Sequence, residues 1–216
     1  MKRQVTIWMT FAAMSLFFTQ VPRAADQHIV GVAAHGQKAS ELIARSEQDG
    51  NVVIHFGYLT GIAGLLQETL FSDPNLRTEA TARFTFLATT EITSRHELGN
   101  IITTAAPGKL TIFFNETPGG NFNDLESFGA GAPIATYTLH YHNTLNVQAP
   151  NEGIASGAAD LLQQSAHNFT LGGKKRRLGH VGLRQRIEVT GQGTRNPIDP
   201  LQSFFLLGGH IITTGR

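Results

Sequence analysis

Two histidines separated by one residue are the first feature that could do chemistry. His140 and His142 lie in a stretch of alternating residues, and alternate residues of a strand point to the same face. Two imidazoles on one face could share a metal ion, but protein sites add a third or fourth ligand. The first carboxylate after the pair is Glu152, and the neighbouring even positions are uniformly polar, which is typical of a solvated outer face. We therefore expect no bound metal and no cofactor.

The odd positions of the same stretch indicate a different kind of site. Residues 137–147 carry their large apolar and aromatic side chains at odd positions, so a regular strand presents them on one face. On the inner face of a barrel, two phenols would project between apolar walls, the usual composition of a small-molecule site. The alternative is a solid barrel filled by the same rings. The predicted cavity-lining residues are Phe84, Phe86, Leu110, Ile112, Tyr137, Leu139 and Tyr141.

Other patterns that carry reactive groups do not form a recognisable site. The basic cluster at 174–177 is interpreted as a solvated hairpin end, because alternate members point to opposite sides. The serines lack the G-x-S-x-G context of a nucleophile elbow. The glycines at 119–120 and 191–193 are not followed by the helix that a phosphate loop requires. The chain has no cysteine, which excludes disulfides and thiolate chemistry. No catalytic residue is assigned.

The elements that must position these side chains are mostly strands. The segment 81–94 alternates cleanly between apolar and polar residues. Two glycines at 172–173 supply the turn of a tight hairpin over 169–177. One short helix is predicted over 37–48, with Gly50 just past its end. Further strands are predicted at 100–104, 109–114, 133–147, 183–190 and 203–214.

About eight strands at short intervals predict an all-β fold, either a sandwich or a closed barrel. Long strands, and small residues mixed with large ones on the apolar faces, favour a single antiparallel β-barrel, because closure removes exposed edges and a barrel interior tapers. The loop at 115–132 is expected at the barrel rim. The predicted division is a signal peptide at 1–25, an N-terminal extension with the short helix at 26–50, and the barrel domain at 51–216.

The beginning of the chain has the features of a secretory leader. Lys2 and Arg3 form a basic start, and residues 5–18 carry no charge. That uncharged run is short for a bilayer span, which needs about 20 residues. Ala24 and Ala25 offer small residues for cleavage. The chain is therefore expected to be secreted or periplasmic, with no membrane span after cleavage.

The composition of the remaining chain limits the classes of partner that it can bind. The sequence has 17 Lys and Arg against 16 Asp and Glu, and the leader takes three of the basic residues with it. A nucleic-acid binder normally shows a basic excess, so we expect no nucleic-acid partner. The leader also holds all three methionines and the one tryptophan.

A family resemblance adds to this interpretation. The succession RFTFLATTEITSR, GKLTIFFNETPGGNF, GAPIATYTLHYHNTLNV and SFFLLGGHIIT resembles the calycin-type barrels grouped as allene oxide cyclase-like or dirigent-like. The likeness covers about residues 50–214 and rests on strand order, strand length and residue texture. It implies an exported or plastid barrel with an apolar cavity and no cofactor. No catalytic residue of that family matches a position here, so the resemblance assigns none.

Three functions from different classes stay open. The barrel could bind a small apolar or aromatic molecule, or fold a substrate as a cofactor-free cyclase or isomerase of the allene oxide cyclase type. It could also be a structural or adhesive envelope protein that contacts partners through its outer strands and the loop at 115–132. A homo-oligomer is compatible with each. An apolar cavity favours binding, a cavity with converging tyrosine and charged groups favours catalysis, and a filled barrel favours the structural role.

Cleavage of the leader gives the first prediction. Because residues 1–25 have a basic start and an uncharged core, protein isolated from its host should lack about 25 N-terminal residues. Intact-mass analysis measures this directly. An exported form that retains Met9 and Met14 would contradict it.

Overall fold

The computed structural model describes residues 28–196 and 202–215, so the predicted signal peptide lies outside the described residues. In these described ranges, three short 3-10 helices, Gln67–Leu70, Glu79–Thr81 and Leu125–Gly129, interrupt what is otherwise strands, turns and loops. Within the described ranges, no helix has the length and apolarity needed to cross a bilayer. The strands are β1 His28–Val30, β2 Lys38–Asp49, β3 Val52–Ile62, β4 Phe84–Glu91, β5 Ser94–Leu98, β6 Ile101–Phe114, β7 Ala132–Ala149, β8 Glu152–Ala166, β9 Asn168–Leu171, β10 Lys174–Leu178, β11 Arg184–Asn196 and β12 Gln202–Gly215.

Eight of these strands close into an antiparallel barrel, in the order β4-β3-β2-β12-β11-β8-β7-β6. The ring is completed by pairing of β4 with β6, which runs from Phe84 opposite Phe114 to Thr90 opposite Gly108. The strand β5 continues past the end of β4 along the other half of β6, with Ser94 opposite Ala105. The predicted all-β fold and closed antiparallel barrel are confirmed.

The short helix predicted over 37–48 is wrong, because these residues form β2. Burial along β2 has a period of two: Leu42 and Ala44 are buried, whereas Ile43 between them is exposed. Gly50 adopts a φ of +58° in the turn that joins β2 to β3. Pairing with β3 on one side and β12 on the other outweighs the helix propensity of this segment. The barrel therefore includes residues before position 51.

A small second sheet covers one end of the barrel. The strands β9 and β10 form the predicted hairpin around residues 172–173, and β1 pairs with β10 in parallel. Phe169 of β9 packs against two inward rings of the barrel, with its ring centroid 5.4 Å from that of Phe84 and 4.9 Å from that of Phe114. Leu171 and Leu178 are buried beside it. We call this covered end the closed end.

The loop between β6 and β7 packs on the outer face of the barrel instead of standing at its rim. Phe128 is fully buried, and its ring centroid lies 5.2 Å from that of Phe56 on the outer face of β3 and 5.0 Å from that of Phe122. The Thr85 hydroxyl donates a hydrogen bond of 2.6 Å to the Phe128 carbonyl oxygen. The aromatic rings of this loop are thus used within the molecule, forming a second apolar cluster outside the barrel.

At the other end of the barrel, several inward positions carry small residues. Ala106, Ala155 and Gly157 face inward there, where Phe84 and Phe114 face inward at the closed end. A Cβ atom added to Gly157 would lie 2.3 Å from the hydroxyl oxygen of Tyr141 on the neighbouring strand. The ring of Tyr141 therefore lies directly over the Gly157 backbone, and a side chain at 157 would displace it.

This close approach gives a stability prediction. Gly157→Ala should destabilise the protein by about 1–3 kcal/mol, because the inserted methyl overlaps the Tyr141 ring. Gly208→Ala is the matched control, since a Cβ at 208 meets nothing within 4 Å among the described residues, and it should change stability by less than about 0.5 kcal/mol. Urea unfolding measures both. Equal stability of the two variants would show that Tyr141 does not lie over Gly157.

Candidate functional site

A cavity of about 70 Å³ lies at the barrel end opposite the closed end. Its walls come from seven barrel strands or their extensions, so closure of the sheet is what forms it. We call it the mouth cavity. Most of its lining is aliphatic or aromatic, and the apolar lining residues are Val53, Ile92, Ile102, Ala106, Leu145, Ala155, Phe205 and Leu207.

A smaller cavity of about 40 Å³ lies deeper in the barrel, and we call it the inner cavity. His55 and Tyr141 line both cavities, so these two rings lie between them. The rings contact each other edge to face, with their centroids 4.9 Å apart and their planes at 65°. This is a favourable geometry for two aromatic rings, and it fixes the floor of the mouth cavity.

The His55 side chain is held from both neighbouring strands. Its Nδ1 lies 2.6 Å from the hydroxyl oxygen of Ser46 on β2, and its Nε2 lies 3.5 Å from that of Thr90 on β4. Burial lowers the pKa of His55 from 6.5 to about 4, because the apolar walls disfavour the charged imidazolium. At neutral pH the ring is therefore uncharged, and Ser46 can donate to its Nδ1.

Tyr141 is likewise uncharged. Burial raises the pKa of its phenol above the ordinary value, so the hydroxyl keeps its proton at neutral pH. That hydroxyl donates to Oδ1 of Asn143 at 3.5 Å, which is the outer limit of a hydrogen bond. The floor of the mouth cavity thus offers neutral donors and acceptors in apolar surroundings. Such groups can orient a bound molecule by hydrogen bonding.

The opening of the mouth cavity carries one charged side chain among the described residues that line it. Arg95 of β5 is exposed there, and its Nε donates a hydrogen bond of 2.8 Å to Glu97 Oε1. The charge of Arg95 is therefore balanced within its own strand. Farther round the opening, the Ser203 hydroxyl donates to Gln48 Oε1 at 3.2 Å.

The predicted cavity residues fall into two groups. Phe86, Leu110, Leu139 and Tyr141 line the inner cavity, and Tyr141 also lines the mouth cavity. The other three point into the barrel interior but are buried among neighbouring side chains of the core: they are Phe84, Ile112 and Tyr137. Ligand binding by these residues stays a prediction.

The two histidines of the H-x-H pair lie apart from this site. His140 and His142 are exposed on the outer face of β7, while Leu139 and Tyr141 point inward between and beside them. Among residues 28–196 and 202–215, no group of three or more potential metal ligands is found. The expectation of a metal-free protein stays a prediction.

Sequence reasoning did not find Ser46 and His55. Ser46 lies in the segment predicted to be a helix, although Leu42, Ala44 and Ser46 also alternate as the inward residues of a strand do. A signal was present, since Gly50 and Asn51 form a typical two-residue hairpin turn between two stretches of alternating residues. That hairpin places Ser46 directly opposite His55.

Comparison with protein-family models, curated proteins and solved structures found no match to this chain. The function must therefore be argued from the cavity itself.

The lowered pKa of His55 makes stability depend on pH in a defined window. As the pH falls from about 6.5 towards 4, the unfolded chain gains a proton at this residue that the folded chain does not. The free energy of unfolding should therefore fall by up to about 3 kcal/mol in this pH window because of His55 alone. His55→Gln cannot titrate, so its unfolding free energy should fall less between pH 7 and pH 4.5. The same fall in both proteins would show that His55 is not desolvated.

Proposed function

We propose that this protein is a binding protein that holds a small apolar or aromatic molecule in the mouth cavity. The observation that carries the proposal is the combination of apolar walls, an opening at one barrel end, and a floor of uncharged polar rings, His55 and Tyr141. Apolar enclosure supplies affinity, and a few directed polar groups supply orientation. The closed end, packed around Phe84, Phe114 and Phe169, leaves ligand entry to the mouth.

The size of the mouth cavity limits what it can receive. Its volume of about 70 Å³ is smaller than the roughly 150 Å³ that holds benzene in a closed protein cavity. The bound molecule therefore places one compact apolar group beside Leu207 and Ala155, and its remainder lies in the opening near Ile102 and Leu145. This supports a ligand of one ring or a short branched chain.

The cellular setting and the family remain part of the same proposal. Export to a secreted or periplasmic location rests on the sequence of residues 1–25. A relationship to allene oxide cyclase-like or dirigent-like barrels is supported by the closed eight-stranded antiparallel barrel.

The packing of loop aromatics such as Phe128 against the barrel makes the structural or adhesive alternative less favourable, because those rings are not free for a partner.

A cofactor-free isomerase is the second candidate. The contact between His55 and Tyr141 at the cavity floor favours it, because a phenol and an imidazole together can donate and accept a proton. Binding ranks first, since the apolar environment that lowers the pKa of His55 to about 4 makes it a weak base.

Ligand binding is tested by filling each cavity in turn. Toluene should bind the purified protein saturably and raise its melting temperature, because it binds only the folded state. Ala155→Leu places a larger side chain in the mouth cavity and should abolish this shift. Ala88→Leu is the matched control: Ala88 lines only the inner cavity, so the shift should persist. Both changes overpack the barrel at a similar cost of about 1–3 kcal/mol.

The comparison separates loss of binding from loss of stability. Each variant is therefore compared with its own ligand-free melting temperature, measured by differential scanning calorimetry. A wild-type protein that shows no saturable shift, or an Ala155→Leu protein that binds toluene as well as the wild type, would refute binding in the mouth cavity.

A further inference from the structure

Hydrogen-bonding capacity is left unused on one wall of the mouth cavity. Thr104 of β6 lies directly opposite Asn143 of β7, and Tyr141 is two residues along the same strand. All three are half-buried and line the cavity. Among the described residues, the Thr104 hydroxyl and the Asn143 amide nitrogen have no hydrogen-bond partner, and the Tyr141 hydroxyl has only the 3.5 Å contact with Asn143. We call these three residues the polar wall.

The remaining polar groups around the cavity are already paired. Ser46 bonds His55 at 2.6 Å, and Ser203 bonds Gln48 at 3.2 Å. The Thr104 hydroxyl and the Asn143 amide nitrogen are reached by solvent in the free protein. A ligand that covers the polar wall must therefore supply a hydrogen-bond partner in place of water, because a polar group buried without one is costly. Hydroxyl and amide groups of the polar wall can all donate. An oxygen acceptor on the ligand therefore complements this wall, and the apolar residues opposite it complement the rest.

A charged ligand group would not be compensated at this depth. Arg95 is the one charged side chain among the described lining residues, and it is exposed at the opening and bonded to Glu97. The polar wall itself carries no charge. Moving an ion from water to the side of Tyr141 would therefore cost its hydration without an ion pair in return.

We infer that the ligand is a small uncharged molecule with one carbonyl or hydroxyl oxygen, which accepts hydrogen bonds from the Tyr141 hydroxyl and the Asn143 amide nitrogen. The apolar remainder of the molecule packs against Phe205 and Leu207. This inference rests on the proposed binding function and specifies its ligand class: a neutral alcohol, aldehyde or ketone of about one ring in size.

A series of single-ring compounds tests the ligand class. Toluene, benzyl alcohol, benzaldehyde, benzoate and benzylammonium share one ring and differ at a single substituent. Isothermal titration at pH 7 should give benzyl alcohol and benzaldehyde about three- to tenfold tighter binding than toluene, the effect of one net hydrogen bond. Benzoate and benzylammonium should bind at least about 100-fold more weakly than benzyl alcohol.

Variants assign the preference to the polar wall. Tyr141→Phe keeps the ring and removes the hydroxyl, and Asn143→Leu keeps the size and removes the amide. Each should reduce the preference for benzyl alcohol over toluene towards onefold, because the oxygenated ligand loses a hydrogen bond while toluene binds as tightly as before or more tightly. Ser165→Ala is the control, because its hydroxyl lies 2.7 Å from that of Thr136 and lines neither cavity. It should leave the preference unchanged.

The outcomes distinguish a wrong ligand class from a wrong binding function. If toluene binds in the mouth cavity as tightly as its oxygenated analogues, or if both wall variants keep the full preference, the ligand class is wrong while the binding function stands. If benzoate or benzylammonium binds more tightly than benzyl alcohol, the inferred ligand class is also wrong while the binding function stands. If none of the five compounds binds saturably, the binding function itself fails.

Discussion

Pairing of β4 with β6 closes the sheet, and every inward side chain then shares one narrow interior. In an open sheet, a large residue on the inner face could turn towards solvent at an edge, but a closed barrel has no edge. The interior must therefore be filled by residues whose sizes fit one another around the ring. The position of the cavity follows from where those sizes decrease along the barrel axis.

The two ends of the barrel differ because their inner residues differ. Phe84, Phe114 and Phe169 pack at the closed end, with centroid distances of 4.9 to 5.4 Å. Towards the mouth, Ala155 and Gly157 provide too little volume to fill the ring, and Gly157 allows the Tyr141 ring to lie against the backbone. Both extremes expected from the sequence, a solid barrel and a hollow one, thus occur in different halves of the same interior.

The polar groups of the cavity form two different arrangements. His55 is tied to Ser46 and Thr90 on the neighbouring strands, so it shapes the floor and stays uncharged. The Tyr141 hydroxyl has one weak contact with Asn143, so it is free to bond a ligand. A side chain whose polar groups are hydrogen-bonded within the protein stabilises the site. A side chain with an unused hydrogen-bonding group favours ligands that can bond it.

The strand pattern made the barrel predictable, because alternation in segments such as 81–94 requires one buried and one exposed face. The segment 37–48 was not predictable in the same way. Its residues favour a helix locally, although Gly50 signals a hairpin. Pairing with β3, the next strand, and with β12, far later in the chain, makes it a strand. Since Ser46 lies in that segment, the error removed it and its partner His55 from the predicted site. Placement of Tyr141 was accessible from sequence, because Leu139 and Leu145 share its odd-numbered face.

The loop at 115–132 shows a second limit of sequence reasoning. Its glycines and polar residues indicate an irregular segment, but nothing local shows that Phe128 will be buried against Phe56 on the outside of the barrel. That contact joins residues far apart in the chain. Burial of a ring on an outer face depends on the tertiary arrangement and not on a local period.

The most direct measurement of the mouth cavity as a binding site is a set of intermolecular NOEs between benzyl alcohol and the methyl groups of the protein. Binding in the mouth cavity predicts NOEs from the ligand ring to the methyls of Ala106, Ala155 and Leu207, which line it. Saturable binding with NOEs confined to outer-face methyls such as those of Leu206, which is exposed, would contradict the site.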